Sequence, residues 1–133
     1  MEELQALLTA NNYRLTAARQ SIFKALFKND RPLDIAAIQQ VCPTVNRSSI
    51  YRVLATFLKL NIVTEVPRDW KVRYELAEPF KGHHHHLQCQ KCGEIVALDT
   101  PALELLINKL ATNHSYLLTN HHIELMGVCQ YCR

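Results

Sequence analysis

Through the first sixty residues, apolar positions recur at helical spacing. Residues 2–11 carry Leu4, Leu7 and Leu8 on one side and predict a short helix, ended by the Asn11-Asn12 pair. LTAARQSIFKALFK follows. Thr16 is suited to cap its N-terminus, and Ile22, Leu26 and the neighbouring phenylalanines form an apolar stripe. After the turn Asn29-Asp30-Arg31-Pro32, Asp34 is placed to cap a third helix, IAAIQQV, which ends before Pro43. In NRSSIYRVLATFLKLN, Ile50, Val53, Leu54 and Phe57 repeat at i, i+3, i+4 and i+7, with Asn46 or Ser48 as cap. NIVTEV and KVRYEL then read as two short strands joined by Pro67-Arg68-Asp69-Trp70. Helices followed by a two-stranded hairpin predict a winged helix over residues 1–76.

The pattern changes at AEPFKG, residues 77–82, whose Pro79 and Gly82 fit a hinge. HHHHLQC and EIVAL then read as strands. Thr100-Pro101 starts a helix with Leu103, Leu106, Ile107 and Leu110 on one face. YLLTNHHIELMGV reads as a long strand with Leu117, Ile123 and Leu125 on one side. Residues 83–133 therefore predict a β-β-α-β unit, and the fold class is α+β. Three strands under one helix give a thin core, so both a metal and a partner subunit are expected to stabilise it.

Composition fits this picture: 48% hydrophobic and 20% charged residues describe a soluble globular chain. No apolar run approaches a membrane span, and MEELQALL lacks the basic flank and apolar core of a signal peptide. The expected compartment is the reducing cytoplasm, where paired cysteines bind metal more often than each other. Charge is uneven. Residues 1–76 hold 11 Lys/Arg and 7 Asp/Glu, whereas residues 77–133 hold 4 and 5. All seven histidines and four of the five cysteines lie in the second stretch. The polar side of the fourth helix shows Ser49, Arg52, Thr56 and Lys59, with Tyr51 beside them. Short hydroxyls, a guanidinium and an aromatic suit a helix lying in a DNA major groove. A solvated surface helix has a similar face; the helix-helix-hairpin order favours DNA reading.

Cys89-x-x-Cys92 and Cys129-x-x-Cys132 form two pairs that together can complete a tetrahedral zinc cage. The thioredoxin-like pattern of a redox Cys-x-x-Cys is absent. Cys42 is left over and reads as an apolar filler. The run His83–His86 is internal, two residues before Cys89, which argues against a purification tag. On a strand, His83 and His85 share one face and His84 and His86 the other, giving two half-sites. Further ligands could come from Glu75, Glu104, and His121 or His122. For Glu104 alone, a surface carboxylate is the commoner case. A metal shared by Glu75, His84 and His86 would bias the hinge toward one state.

With these residues in view, the chain resembles the ferric uptake regulator family of metal-sensing bacterial repressors. The likeness runs through YRLTAARQSIFKAL, SSIYRVLATFLKLNIV, RYEL, HHHHLQCQKCGEIV and LTNHHIELMGVCQYC. It implies a homodimer, each subunit having an N-terminal winged helix and a C-terminal dimerisation domain, that binds double-stranded, palindromic, A·T-rich DNA when metal is bound. It further implies structural zinc on Cys89, Cys92, Cys129 and Cys132, a dimerisation-domain site of His83, His85, Glu104 and His121, and a hinge site including Glu75, His84 and His86. DNA contacts would come from Tyr51 and Arg52, with Arg14 toward the minor groove, beside Ser49 and Thr56 of the reading helix. Two departures stand out. NDRPLD supplies no histidine before the third helix, where many members place a hinge-site ligand. Ala97 stands where peroxide-sensing members place an aspartate, which argues against peroxide sensing.

His85, where iron-sensing members tend to be acidic, tilts the regulatory metal toward Zn²⁺ over Fe²⁺. Against this, the stretch between Glu75 and His83 lacks the cysteine that zinc sensors often use. The expected function is a zinc-sensing repressor of metal-uptake genes, with an iron sensor of the same family as the alternative. A metal store or chaperone would leave the winged helix unexplained. An enzyme is not expected, because there is no HExxH helix and no phosphate-binding glycine loop. No membrane partner and no small-molecule substrate beyond metal ions are expected.

Overall fold

Four helices and a hairpin make up the first of two units, residues 1–82. The computed structural model describes residues 1–68, 71–78, 80–121 and 123–133, without the side chains of Pro67 and Arg68. Asp69 and Trp70 between the expected strands, Pro79 of the linker and the candidate ligand His122 lie outside the described residues.

Helix α1 (Glu2–Ala10) buries Leu4 and Leu8, and Asn12, with φ of 63°, turns the chain out of it. Helix α2 (Ala17–Lys28) starts at Thr16, whose hydroxyl accepts from the Arg19 N–H at 3.4 Å. Helix α3 (Ile35–Val41) starts at Asp34, whose carboxylate accepts from the Ala37 N–H at 2.8 Å. Helix α4 (Arg47–Lys59) is capped by Asn46, which accepts from the Ser49 N–H at 2.8 Å, while Ser48 donates to that cap. Ile50, Val53, Leu54 and Phe57 are all buried on its inner face. They meet Ile22, Phe23 and Leu26 of α2, Ile38 of α3, and Cys42, whose thiol is pushed up by burial.

Strands β1 (Val63–Arg68) and β2 (Lys71–Leu76) pair antiparallel and form the wing. Leu33 adds a bridge that the hydropathy pattern did not announce. It exchanges both backbone hydrogen bonds with Tyr74, at 2.9 and 2.8 Å, and so covers one edge of the hairpin. The linker residues also attach to this unit. Phe80 packs edge-on against Phe23 with ring centroids 5.1 Å apart, and Lys81 donates to the Asn29 carbonyl.

The second unit, residues 83–133, has a three-stranded sheet in the order β4-β3-β5. Strand β3 (His85–Cys89) is central, antiparallel to β4 (Ile95–Leu98) and parallel to β5 (Glu124–Gly127). Helix α5 (Pro101–Asn113) makes the crossover that the parallel pairing requires. Thr100 is its N-cap residue, but without a side-chain capping bond.

Two sequence expectations change here. HHHHLQC forms a strand only from His85, and the long strand expected over YLLTNHHIELMGV shrinks to Glu124–Gly127. A strand exists only where a neighbour accepts its backbone bonds, and among the described residues β3 pairs with those four. The expected inward apolar faces are also largely outward. Helix α5 buries no residue fully; Leu106 is 53% exposed, Leu110 52% and Leu117 89%. Cys89 and Ile95 are the buried apolar residues among those described in this unit. Such a core is too thin to hold fifty residues without help.

Candidate metal centres

Parallel pairing of β3 with β5 brings like ends of the two strands together. Cys89 stands opposite Gly127, so both Cys-x-x-Cys turns emerge at the same end of the sheet. The first turn is closed by Gly93, whose N–H donates to the Cys89 carbonyl at 2.8 Å and whose φ is 70°. A side chain at that φ would be strained, so the glycine belongs to the site. Its signal in the sequence is the glycine directly after the second cysteine of the pair, Cys-x-x-Cys-Gly. Lys91 donates to the Cys132 carbonyl at 2.8 Å and ties the two turns together.

The sulfurs of Cys89, Cys92, Cys129 and Cys132 all lie within 4.8 Å of one another. Zinc–sulfur bonds of 2.3 Å in a tetrahedron imply sulfur–sulfur edges of about 3.8 Å. Cys92 and Cys129 stand 3.7 Å apart, so the donors fit that ion. Without metal, Cys89 and Cys132 are shifted in opposite directions. Backbone N–H groups of Cys129 and then Cys92 draw the Cys89 thiol down to about 5. Hydrogen bonding to Cys129 and Cys92 pushes the Cys132 thiol up to about 12. Metal binding must therefore displace protons.

The other end of the sheet carries a second cluster. His83, His85, Glu104 and His121 bring one ligand atom each to within 4.8 Å of the others. His85 Nε2 is 2.6 Å from Glu104 Oε1, and His83 Nε2 is 3.3 Å from the same oxygen. His121 Nε2 lies 3.2 Å from Glu104 and 3.0 Å from His83 Nε2. Bonds of 2.0–2.1 Å in a tetrahedron imply edges of about 3.4 Å. Three nitrogens and one oxygen at these separations could hold a divalent ion. Glu104 sits in the first turn of α5, a surface position by pattern, yet its carboxylate faces all three rings. The hydrogen bond from His85 holds that carboxyl below the usual carboxylate range, with His121 adding to it.

His84 and His86 turn to the opposite side, their ring centroids 4.9 Å apart; His86 is buried. The alternation along the run therefore appears in the ring pairs, since His83 and His85 also meet edge-on at 4.8 Å. Glu75 lies in the first unit, on β2 opposite Thr64.

On α4, Tyr51 and Arg52 are exposed, and Ser49 and Thr56 are half-buried beside them. The Thr56 hydroxyl donates to the Arg52 carbonyl at 3.0 Å. Arg14 is exposed on the segment between α1 and α2. Among the described residues, no helix is long and apolar enough to cross a membrane.

Comparison with known proteins agrees with this layout. The model of the ferric uptake regulator family matches residues 10–126. The ferric uptake regulation protein of Campylobacter upsaliensis is 28% identical over 99% of this chain and 88% of its own length. The peroxide-responsive repressor PerR of Staphylococcus epidermidis is 30% identical over 100% of this chain and 90% of its own. The solved structure of the Helicobacter pylori ferric uptake regulator, described as having three functional metal binding sites, superposes with a TM-score of 0.83. It is 25% identical and covers 98% of this chain and 89% of that one.

Proposed function

Because the chain belongs to the ferric uptake regulator family, whose members are metal-responsive transcriptional regulators, we propose that it is a zinc-sensing repressor of metal-uptake genes. Members of the family are not enzymes; they bind DNA through an N-terminal domain and dimerise through a C-terminal one. The observation that carries the zinc reading is the cluster of His83, His85, Glu104 and His121. It offers three imidazole nitrogens and one carboxylate oxygen at spacings suited to a four-coordinate ion. Zinc favours such sites, whereas six-coordinate ions need more donors. Zinc would supply the positive charge that holds these ligands together. Structural zinc is assigned to Cys89, Cys92, Cys129 and Cys132, which closes the end of the sheet.

In this reading Glu75, His84 and His86 are a further regulatory set, resting on the pattern of residues and the resemblance. The Helicobacter pylori relative, with its three functional metal binding sites, supports a plural assignment. Arg14, Ser49, Tyr51, Arg52 and Thr56 form the proposed DNA-reading set, for an A·T-rich palindrome bound by the dimer. Iron sensing is the second reading, favoured by the names of the Campylobacter and Helicobacter relatives.

The test is selection of duplexes from a random-sequence pool, followed by binding titration at buffered free zinc and, anaerobically, ferrous iron. Tightening at trace free zinc with no response to iron supports the zinc reading. Tightening with iron, and with zinc only in excess, replaces it with iron sensing. No selected sequence under either metal sinks the repressor reading itself.

A further inference from the structure

Arg19 occupies the third position of helix α2, where a capping box places Glu or Gln. A cation there also opposes the helix dipole. Its side chain runs backward out of the helix. The Nη1 group donates to the Arg14 carbonyl at 2.5 Å, and the guanidinium carbon lies 5.2 Å from the centre of the Tyr13 ring. Its Nε is buried and has no hydrogen-bond partner, a cost borne by the folded chain. One side chain therefore spans the irregular segment between α1 and α2 and takes up the backbone acceptor of Arg14. At the other end of that segment, the Tyr13 N–H donates to the Leu8 carbonyl at 2.8 Å, next to the left-handed Asn12. The segment is thus fixed at both ends, while the Arg14 side chain remains outside, exposed.

We propose that Arg19 is a positioning residue for DNA binding, clamping the Tyr13–Leu15 backbone so that Arg14 meets the duplex in one conformation. The inference rests on the DNA-binding reading above and on Arg14 as one of its contacts. An arginine is needed because only its planar fork can stack on Tyr13 and bond a carbonyl at once. Lysine keeps the charge and the stem but loses the fork.

The test is a double-mutant cycle on the metal-loaded, full-length protein, using the duplex that the wild type selects from a random pool. Arg19→Lys is expected to weaken binding about tenfold, the order of one or two backbone residues re-ordered on binding. In the Arg14→Ala background, the same change should add less than about twofold, because the two residues act as one unit. Thermal unfolding and metal content should match the wild type, and amide exchange should quicken at Tyr13–Leu15 alone. Wild-type affinity of Arg19→Lys overturns the proposal. So does a full additive loss in the double variant, which would make Arg19 a separate phosphate contact or a general fold determinant. If Arg14→Ala alone binds normally, the clamp has nothing to position and the proposal falls. An unimpaired loss on Arg52→Ala would then still uphold DNA binding as such.

Discussion

His85 Nε2 and Glu104 Oε1 approach to 2.6 Å, joining the central strand of the second sheet to the first turn of α5. The contact holds the Glu104 carboxyl below the ordinary carboxylate range. A lowered folded value means that its stabilisation is present above the unfolded value of about 4.3 and is lost as pH falls through the folded one. With the regulatory metal removed, acid unfolding of the wild type should therefore steepen below about pH 4, the range set by that reference value. Glu104→Gln should show a flatter profile there. Identical acid limbs, followed by circular dichroism, would refute the assignment.

Cys92→Ser removes one of four thiols from the cage at the far end of the sheet. The buried apolar residues described there, Cys89 and Ile95, cannot replace it. Structural zinc contributes about 10–16 kcal/mol in small metal-folded domains. The variant should therefore lose its zinc, and the second unit should unfold while α1–α4 remain helical. Metal analysis with calorimetry checks this. Retention of zinc with an unchanged melting curve would contradict it.

Leu106 and Leu110 lie four residues apart on α5 and are half-exposed in the single chain. A family that dimerises through this domain gives them a use. Burying one leucine contributes about 1.5–3 kcal/mol, and a two-fold interface counts it twice. Leu106→Glu should shift sedimentation equilibrium toward monomer and weaken binding to a two-half-site duplex. A dimer of wild-type affinity would place the interface elsewhere.

Arg52 is exposed on α4, with Nε directed at the Ser48 carbonyl at 3.4 Å, a weak bond that DNA can displace. Arg52→Ala should weaken binding to the selected duplex by about 1–3 kcal/mol, roughly 5- to 150-fold. Metal content and thermal stability should not move. Equal affinities of wild type and variant in anisotropy titrations would remove Arg52 from the reading surface.

What the sequence determined by itself was local. The spacing of Ile50, Val53, Leu54 and Phe57 dictated which face of α4 turns inward, because a helix repeats every 3.6 residues. Thr16, Asp34 and the pair Asn46 or Ser48 announced helix starts because short polar side chains satisfy orphan N–H groups, and the fold selected Asn46 for α4. Strand period predicted the alternation of the four histidines, and their rings meet in those pairs although only His85 and His86 lie in β3. The tertiary structure decided what depends on a partner distant in sequence. The parallel pairing of β3 with β5 brings Cys89 beside Cys129 at one end, and His83 and His85 beside His121 at the other. No spacing along the chain reveals that pairing. Nor does it show that Glu104, a surface residue by helical pattern, turns its carboxylate toward three imidazoles. The same holds for the expected long strand. Apolar alternation marked where a strand could run, but only β3, with five residues to offer, determined how much of it finds a ladder.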